Sequence, residues 1–307
     1  MRILFMGTPT FAVPSLAALV EAGHEVCGVF SQPDKPVGRH QNKLQPTPVK
    51  EFAVTHHIPV FQPVKLRDGS ALAQIRALEP ELIVVAAYGR LLPDDILDYP
   101  ARGCINVHSS LLPRYRGAAP INWAVLNGDA ETGVTIMHMA TEMDAGDIID
   151  QVRTPIDPDE TVETLYGRLA GMGAELLVKS VAAIAAGTAR RVPQDAARMT
   201  LAPMLSRELS PMDWKRTARE LHNQVRGLIP WPAAVTELGG CRCKVFSTAV
   251  PDERTDRAPG TVLEAGRNGI KVACGGGTVL RIDELQADGG RRMRAADWLR
   301  GHPISVD

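Results

Sequence analysis

The feature that most restricts the fold is a repeated alternation. Short apolar runs of strand length are each followed by a glycine- or proline-marked turn and a segment of helical period. Arg2–Met6 is the first run, Gly7-Thr8-Pro9 follows it, and a helical segment then extends to about Ala22 before Gly23 and the run Glu25–Phe30. Strand, turn, helix and strand in that order form a βαβ unit, whose two strands must run parallel. The pattern continues with a predicted helix at Thr47–His57, strand Val60–Phe61, helix Ser70–Leu78 and strand Leu82–Ala87, then strands Cys104–Val107 and Thr135–Met139. Runs with no polar interruption belong to strands covered on both faces. The expected fold is α/β, with a Rossmann-like, doubly wound, mostly parallel sheet. The first turn excludes one common tenant of such sheets. It has one glycine and two nearby prolines, Pro9 and Pro14, where a dinucleotide site needs G-x-G-x-x-G. No nucleotide cofactor is expected.

The second half of the chain has a different texture. Thr161–Ala186 repeats Leu165, Leu169, Met172 and Leu176 at helical spacing and ends at Gly187, which reads as a packing helix. Residues 189–206 show no period and carry Pro193 and Pro203, as a linker would. Ser210-Pro211-Met212-Asp213 has the form of a helix start, and a helix is predicted from there to about Arg226, with Lys215, Arg216, Arg219 and Arg226 on its surface. Beyond Pro230-Trp231-Pro232 come five short strand-like runs, the first two joined by Gly239-Gly240 as a two-residue hairpin turn. They suit a small barrel of the oligonucleotide-binding type. The expected domains are 1–188, an α/β domain, and 207–307, an OB-like β domain, with 189–206 between them.

Chemistry concentrates in Cys104–Pro120. The predicted strand ends with Asn106 and His108, two residues apart and therefore on one face. Open α/β sheets place their ligand sites at the carboxyl ends of strands. Ser109–Pro113 then turns away, and Arg114, Arg116 and Gly117 follow in a loop. Asp144 lies in the glycine-containing loop after the strand Thr135–Met139, where a carboxylate can orient an imidazole and favour its charged form. Taken singly, Asn106 suits a turn cap, His108 a surface histidine and Asp144 a turn residue. The pair on one strand face beside a loop carboxylate points instead to catalysis.

Asn106-x-His108, followed by Ser110-Leu111-Leu112-Pro113 and by Asp144 a helix and a strand later, resembles the formyltransferases that use 10-formyltetrahydrofolate. The fuller run from His108 to Ala119-Pro120 resembles the branch acting on aminoacylated tRNA, and the likeness extends over essentially the whole chain. The resemblance implies that Asn106, His108 and Asp144 are catalytic. It implies that Ser110, Leu111, Leu112 and Pro113 bind the folate together with Tyr88, Gly89 and Leu92, whose loop forms a backbone wall for the pterin. In that branch a basic loop wedges into the tRNA acceptor end. The matching insertion here, Gln32–Pro46, carries Lys35, Arg39 and Lys43, with Arg39 as the main expected contact. Arg39 is followed by His40-Gln41-Asn42-Lys43 where more lysine is usual, which thins the charge. The expected cosubstrate is 10-formyltetrahydrofolate, with no metal, and the expected partner is methionyl initiator tRNA.

Composition adds bounds. The 307 residues suit two domains, and 45% hydrophobic with 22% charged residues is ordinary for a soluble protein. Net charge is −1, but Lys and Arg outnumber Asp and Glu in residues 206–307 and not before, which weakly favours a polyanionic partner. The five cysteines form no C-x-x-C pair, and Cys241-Arg242-Cys243 reads as alternating strand positions. No secretory leader and no membrane span is expected, so a cytoplasmic monomer is the working expectation. Rival readings are a formyltransferase for a small amine, a hydrolase releasing formate from the folate, and an RNA-binding module with an inactive α/β domain.

Overall fold

A computed structural model describes residues 1–37 and 43–306. The described residues gather into two compact units. One comprises Met1–Gly117, Thr132–Thr154 and Tyr166–Ala202, and the other Ala118–Glu131, Pro155–Leu165 and Pro203–Asp307.

The first unit is built on the expected βαβ repeat. Strand β1 (Arg2–Gly7) leads into helix α1 (Val13–Glu21) and strand β2 (Glu25–Phe30). The insertion after β2 contains an antiparallel pair, β3 (Lys35–Val37) and β4 (Lys43–Gln45), where only a long loop was predicted. Helix α2 (Pro48–Thr55) starts where Thr47 accepts the Lys50 N–H and Pro48 supplies a preset first-turn φ. Strand β5 (Val60–Phe61), helix α3 (Ser70–Leu78), strand β6 (Leu82–Ala86), the short helix α4 (Asp94–Leu97) and strand β7 (Cys104–His108) follow. The chain then passes through helix α5 (Pro120–Leu126), which belongs to the second unit, and returns in strands β8 (Glu131–His138) and β9 (Ile148–Pro155) and, from Tyr166 on, in the long helix α6 (Val162–Ala185).

The seven-stranded sheet has the order β5-β2-β1-β6-β7-β8-β9. Strand β1 pairs in parallel with β2 on one side and β6 on the other, so the winding reverses direction there. Ile3, Leu4, Phe5 and Met6 have no solvent exposure, which is why this strand reads as an unbroken apolar run. The pairing of β7 with β8 is antiparallel, with His108 opposite Thr135 and Asn106 opposite Met137. The sheet is therefore mostly parallel, as expected. Strand β9 was not anticipated, because the polar residues Asp150, Gln151 and Arg153 interrupt the apolar signal.

In the second unit, helix α7 (Ala218–Leu228) packs on an antiparallel sheet of β10 (Ala234–Leu238), β11 (Cys241–Ala249), β12 (Val262–Gly266), β13 (Gly269–Ala273), β14 (Val279–Ala287) and β15 (Met293–Arg294). Helix α8 (Ala295–Trp298) closes the order. The β10–β11 hairpin turns on Gly239 and Gly240 at φ 54° and 75°, the left-handed values such a turn requires. Leu221, Val225, Val245, Ile270, Leu280 and Ile282 form the heart of this core.

Two expectations here are corrected. Helix α7 begins at Ala218, not near Ser210. Ser210 and Met212 hydrogen-bond to Val235, with Val235 N–H donating to the Ser210 carbonyl (2.8 Å) and Met212 N–H to the Val235 carbonyl (2.9 Å). Pairing with β10 therefore overrides the local capping signal. The working cap is Thr217, in a reciprocal box with Glu220. Arg226, expected on the surface, is buried. Its Nε donates to Asn223 Oδ1 (3.0 Å) and its terminal nitrogen to the Glu160 carbonyl (2.9 Å).

Candidate active site

The site is best built outward from the carboxyl ends of the strands. At the ends of β1, β2 and β6, side chains lace three turns together. Thr8 Oγ1 and Gln32 Nε2 both donate to the Tyr88 carbonyl at 3.1 Å. Arg90 Nε donates to Gln32 Oε1 (3.0 Å), and Gln62 Nε2 donates to the Gln32 carbonyl (2.8 Å). The turn after β6 needs left-handed backbone at Ala87 (φ 47°) and Gly89 (φ 83°). Gly89 is exposed, whereas the Tyr88 ring and the Leu92 side chain are buried in the core. Burial pushes the Tyr88 phenol above its usual range. Of these three expected folate contacts, only the backbone around Gly89 faces outward.

Asn106 stands on β7, half-buried, with no side-chain hydrogen bond to any described residue. His108, two positions further along the same strand face, is 5% exposed. Its Nε2 lies 2.9 Å from the Tyr115 carbonyl. A carbonyl only accepts, so Nε2 carries the hydrogen and Nδ1 is the ring atom left for chemistry. Nδ1 faces Asp144 Oδ1 at 3.7 Å, longer than a hydrogen bond. The other carboxylate oxygen, Oδ2, accepts the Gly117 N–H at 2.9 Å. Asp144 itself has φ 53°, a left-handed conformation that an aspartate keeps only where its surroundings enforce it.

The Ser110–Pro113 turn is tied down from two strands. Thr135 Oγ1, on β8, donates to the Ser110 carbonyl (2.7 Å) and accepts the Leu112 N–H (3.2 Å). Gln151, on β9, donates through Nε2 to the Leu112 carbonyl (2.9 Å) and to Thr135 Oγ1 (2.8 Å). Ser110 is fully buried with its hydroxyl spent on the Arg114 carbonyl (2.7 Å), and Leu112 is buried. Leu111 and Pro113 are partly exposed. Thr135 and Gln151 were missed from sequence. Thr135 sat inside a predicted strand with no sign of its partners, and Gln151 sat on a strand that was not predicted.

Of the expected tRNA contacts, Arg39 lies outside the described residues, as does the side chain of Lys43; Lys35 is exposed at the start of β3. Lys50, a further cation of this stretch, is bonded to Asp34 at 2.5 Å, and this bond together with Gln62 holds the Asp34 carboxyl below its ordinary range. Cys27, Cys104, Cys243 and Cys274 are buried, and burial pushes the Cys104 thiol up to about 12 and those of Cys243 and Cys274 to about 11. Such thiols carry almost no thiolate near neutrality. Among the described residues, no three His, Cys, Asp or Glu side chains are grouped to hold a metal ion, and no helix is long and apolar enough to cross a membrane.

Asn106 and His108 on β7 and Asp144 in the loop after β8 thus lie together at an edge of a mostly parallel sheet, where such folds hold their ligands. The formyl transferase family model matches residues 1–181, and the model of the formyl transferase C-terminal domain matches residues 204–303. The chain is 48% identical to the methionyl-tRNA formyltransferase of Trichlorobacter lovleyi over 99% of its own length and 95% of that protein's. It is 50% identical to the methionyl-tRNA formyltransferase of Moorella thermoacetica, over 99% and 97% of the two chains. Among solved structures, it resembles in fold an N-formyltransferase from Helicobacter canadensis, crystallised with folinic acid and dTDP-3-aminofucose. The TM-score is 0.70 at 20% identity, over 92% of this chain and 98% of that one. The chain belongs to the formyl transferase family, on its methionyl-tRNA formyltransferase branch.

Proposed function

We propose that the protein transfers the formyl group of 10-formyltetrahydrofolate to the α-amine of methionyl initiator tRNA, and that Asn106, His108 and Asp144 carry the chemistry. Relatives named for methionyl-tRNA formylation, at about half identity over nearly their whole length, support the acceptor. The family match supports a folate donor, and a fold neighbour, HypX of Aquifex aeolicus, was crystallised with tetrahydrofolic acid (TM-score 0.65, 18% identity, over 100% of this chain and 48% of that one). The observation that carries the catalytic reading is the unspent Asn106 amide on the strand face of His108, whose Nε2 is fixed by the Tyr115 carbonyl and whose Nδ1 faces Asp144, itself held by the Gly117 N–H.

The reaction needs no covalent enzyme intermediate. A free α-amine has a pKa of about 7.7–8.0, so much of it is neutral and nucleophilic near pH 7. Its nitrogen attacks the formyl carbon, the carbonyl π pair moves onto oxygen, and a tetrahedral anion forms. The Asn106 N–H donates to that oxygen, and so does Nδ1–H of His108 when the ring is charged. Fixed donors of this kind act where the charge develops and need no reorganisation. Asp144 takes the proton shed by the amine, directly or through water. Collapse of the adduct breaks the bond to the folate nitrogen, which leaves with a proton, and N-formylmethionyl-tRNA and tetrahydrofolate are released. Binding of the basic insertion to the tRNA acceptor end, through Arg39 with Lys35 and Lys43, completes the reading. The protein acts in the cytoplasm, as a monomer.

The test is to offer labelled formyl-folate with methionyl-tRNA, a small sugar amine and water as competing acceptors. Label is expected on methionyl-tRNA. Label on the sugar amine alone would assign the chain to small-amine formylation, and free formate alone to hydrolysis.

A further inference from the structure

The stretch that follows α6 passes close to the catalytic pair and touches both of its supports. We propose that Gln194 and Thr200 are positioning residues for formyl transfer, holding from this stretch the two backbone turns that aim His108 and Asp144. The proposal rests on the function assigned above to those two residues.

Thr200 holds the histidine side. Its Oγ1 accepts the Tyr115 N–H (2.9 Å), and its carbonyl accepts the Arg116 N–H (2.9 Å). Its own N–H donates to the Pro113 carbonyl (3.3 Å), and Ala202 N–H donates to the Arg116 carbonyl (2.7 Å). Residues 200–202 thus lie as a short parallel strand along 113–116. This is the turn whose Tyr115 carbonyl accepts from His108 Nε2 and whose Gly117 N–H donates to Asp144 Oδ2. Gln194 holds the carboxylate side. Its Nε2 donates to the carbonyls of Asp144 and Gly146, both at 2.8 Å. Its Oε1 accepts from Arg116 Nε at 3.0 Å. An arginine can only donate and a carbonyl can only accept, so the amide has one possible orientation.

A second observation agrees independently. Tyr115 and Asp144 are two of the few non-glycine residues with positive φ, at 63° and 53°. Left-handed backbone persists at such residues only where neighbours over-determine it. At Tyr115 that neighbour is the Thr200 hydroxyl, and at Asp144 it is the Gln194 amide. Thr200 is exposed, so its replacement leaves no cavity.

The experiment uses the full-length protein with Gln194→Ala, Thr200→Val and Thr200→Ser. Thr200→Val keeps the shape and removes the acceptor; Thr200→Ser keeps the acceptor. Displacing a reacting group by about 1 Å costs on the order of 100-fold in rate, so kcat is expected to fall by ~10- to 100-fold in Gln194→Ala and Thr200→Val. KM for folate and for tRNA is expected to stay near wild type, and Thr200→Ser to keep kcat. In the substrate-free protein, nitrogen NMR of the His108 ring is expected to show the hydrogen on Nε2 in wild type and in Thr200→Ser, and a mixed tautomer in Thr200→Val. Wild-type kcat in both impaired variants, a loss confined to KM, or equal loss in Thr200→Val and Thr200→Ser would overturn the proposal. The NMR arm needs no substrate. A wild-type protein that formylates no methionyl-tRNA would thus sink the functional reading, while the His108 spectrum still decides this one.

Discussion

Asn106, His108 and Asp144 stood out in the sequence as candidates because each is a polar residue where the pattern calls for a strand end or a tight loop, and because their order matches one family. What holds them was not legible. Gly146 shows why. An added Cβ at this position would lie 1.8 Å from the His138 carbonyl oxygen, so the loop carrying Asp144 is pressed onto the end of β8. Nothing in the local sequence distinguishes that glycine from an ordinary turn residue. Gly146→Ala must push the loop away, and a misplacement of about 1 Å in a reacting group costs roughly 100-fold. Steady-state kinetics beside circular dichroism is expected to show a kcat loss of that order with the secondary structure intact. Wild-type kcat would mean that the loop tolerates displacement.

At the level of elements, the βαβ alternation was readable because buried parallel strands leave an unbroken apolar trace. Strand β9 was not, since polar residues on both of its faces interrupt the apolar trace. The start of α7 was misplaced because a local capping pattern at Ser210 competed with pairing to β10 and lost, while the Thr217–Glu220 box seven residues on was passed over. The β3–β4 pair adds order to an insertion whose tRNA role was an expectation from the family resemblance. If Arg39 meets tRNA phosphate from this insertion, Arg39→Ala raises KM for methionyl-tRNA and leaves folate affinity as it was. Loss of one phosphate contact lowers the slope of log affinity against log salt by about 1. Filter binding at several salt concentrations measures that slope. An unchanged slope with weakened folate binding would move Arg39 out of the tRNA contact.

For the whole molecule, pH gives a test that does not depend on substrate. His24, His138 and His222 are each held below the ordinary histidine value, chiefly by burial, with positive neighbours adding to the effect. A base with a lowered folded pKa binds more protons when unfolded. Stability is therefore full above about pH 6.5, the unfolded value, and is lost as pH falls from there towards the lowered folded values. Asp34 and Glu220, whose carboxyls are lowered by hydrogen bonds, weaken the fold only in the separate window below about pH 4. Urea midpoints are expected to drop between pH 8 and pH 5.5, and to drop less in His222→Gln. Equal midpoints across that range would show these histidines to be solvated.

In the proposed reaction, the Asn106 amide on β7 meets a charge that exists only during transfer. The most direct test is single-turnover formylation of methionyl-tRNA by Asn106→Ala with both substrates saturating. The expected result is a chemical step slower by roughly 100- to 1000-fold with binding of both substrates intact, the scale set by removing one oxyanion donor. A rate close to wild type would contradict it.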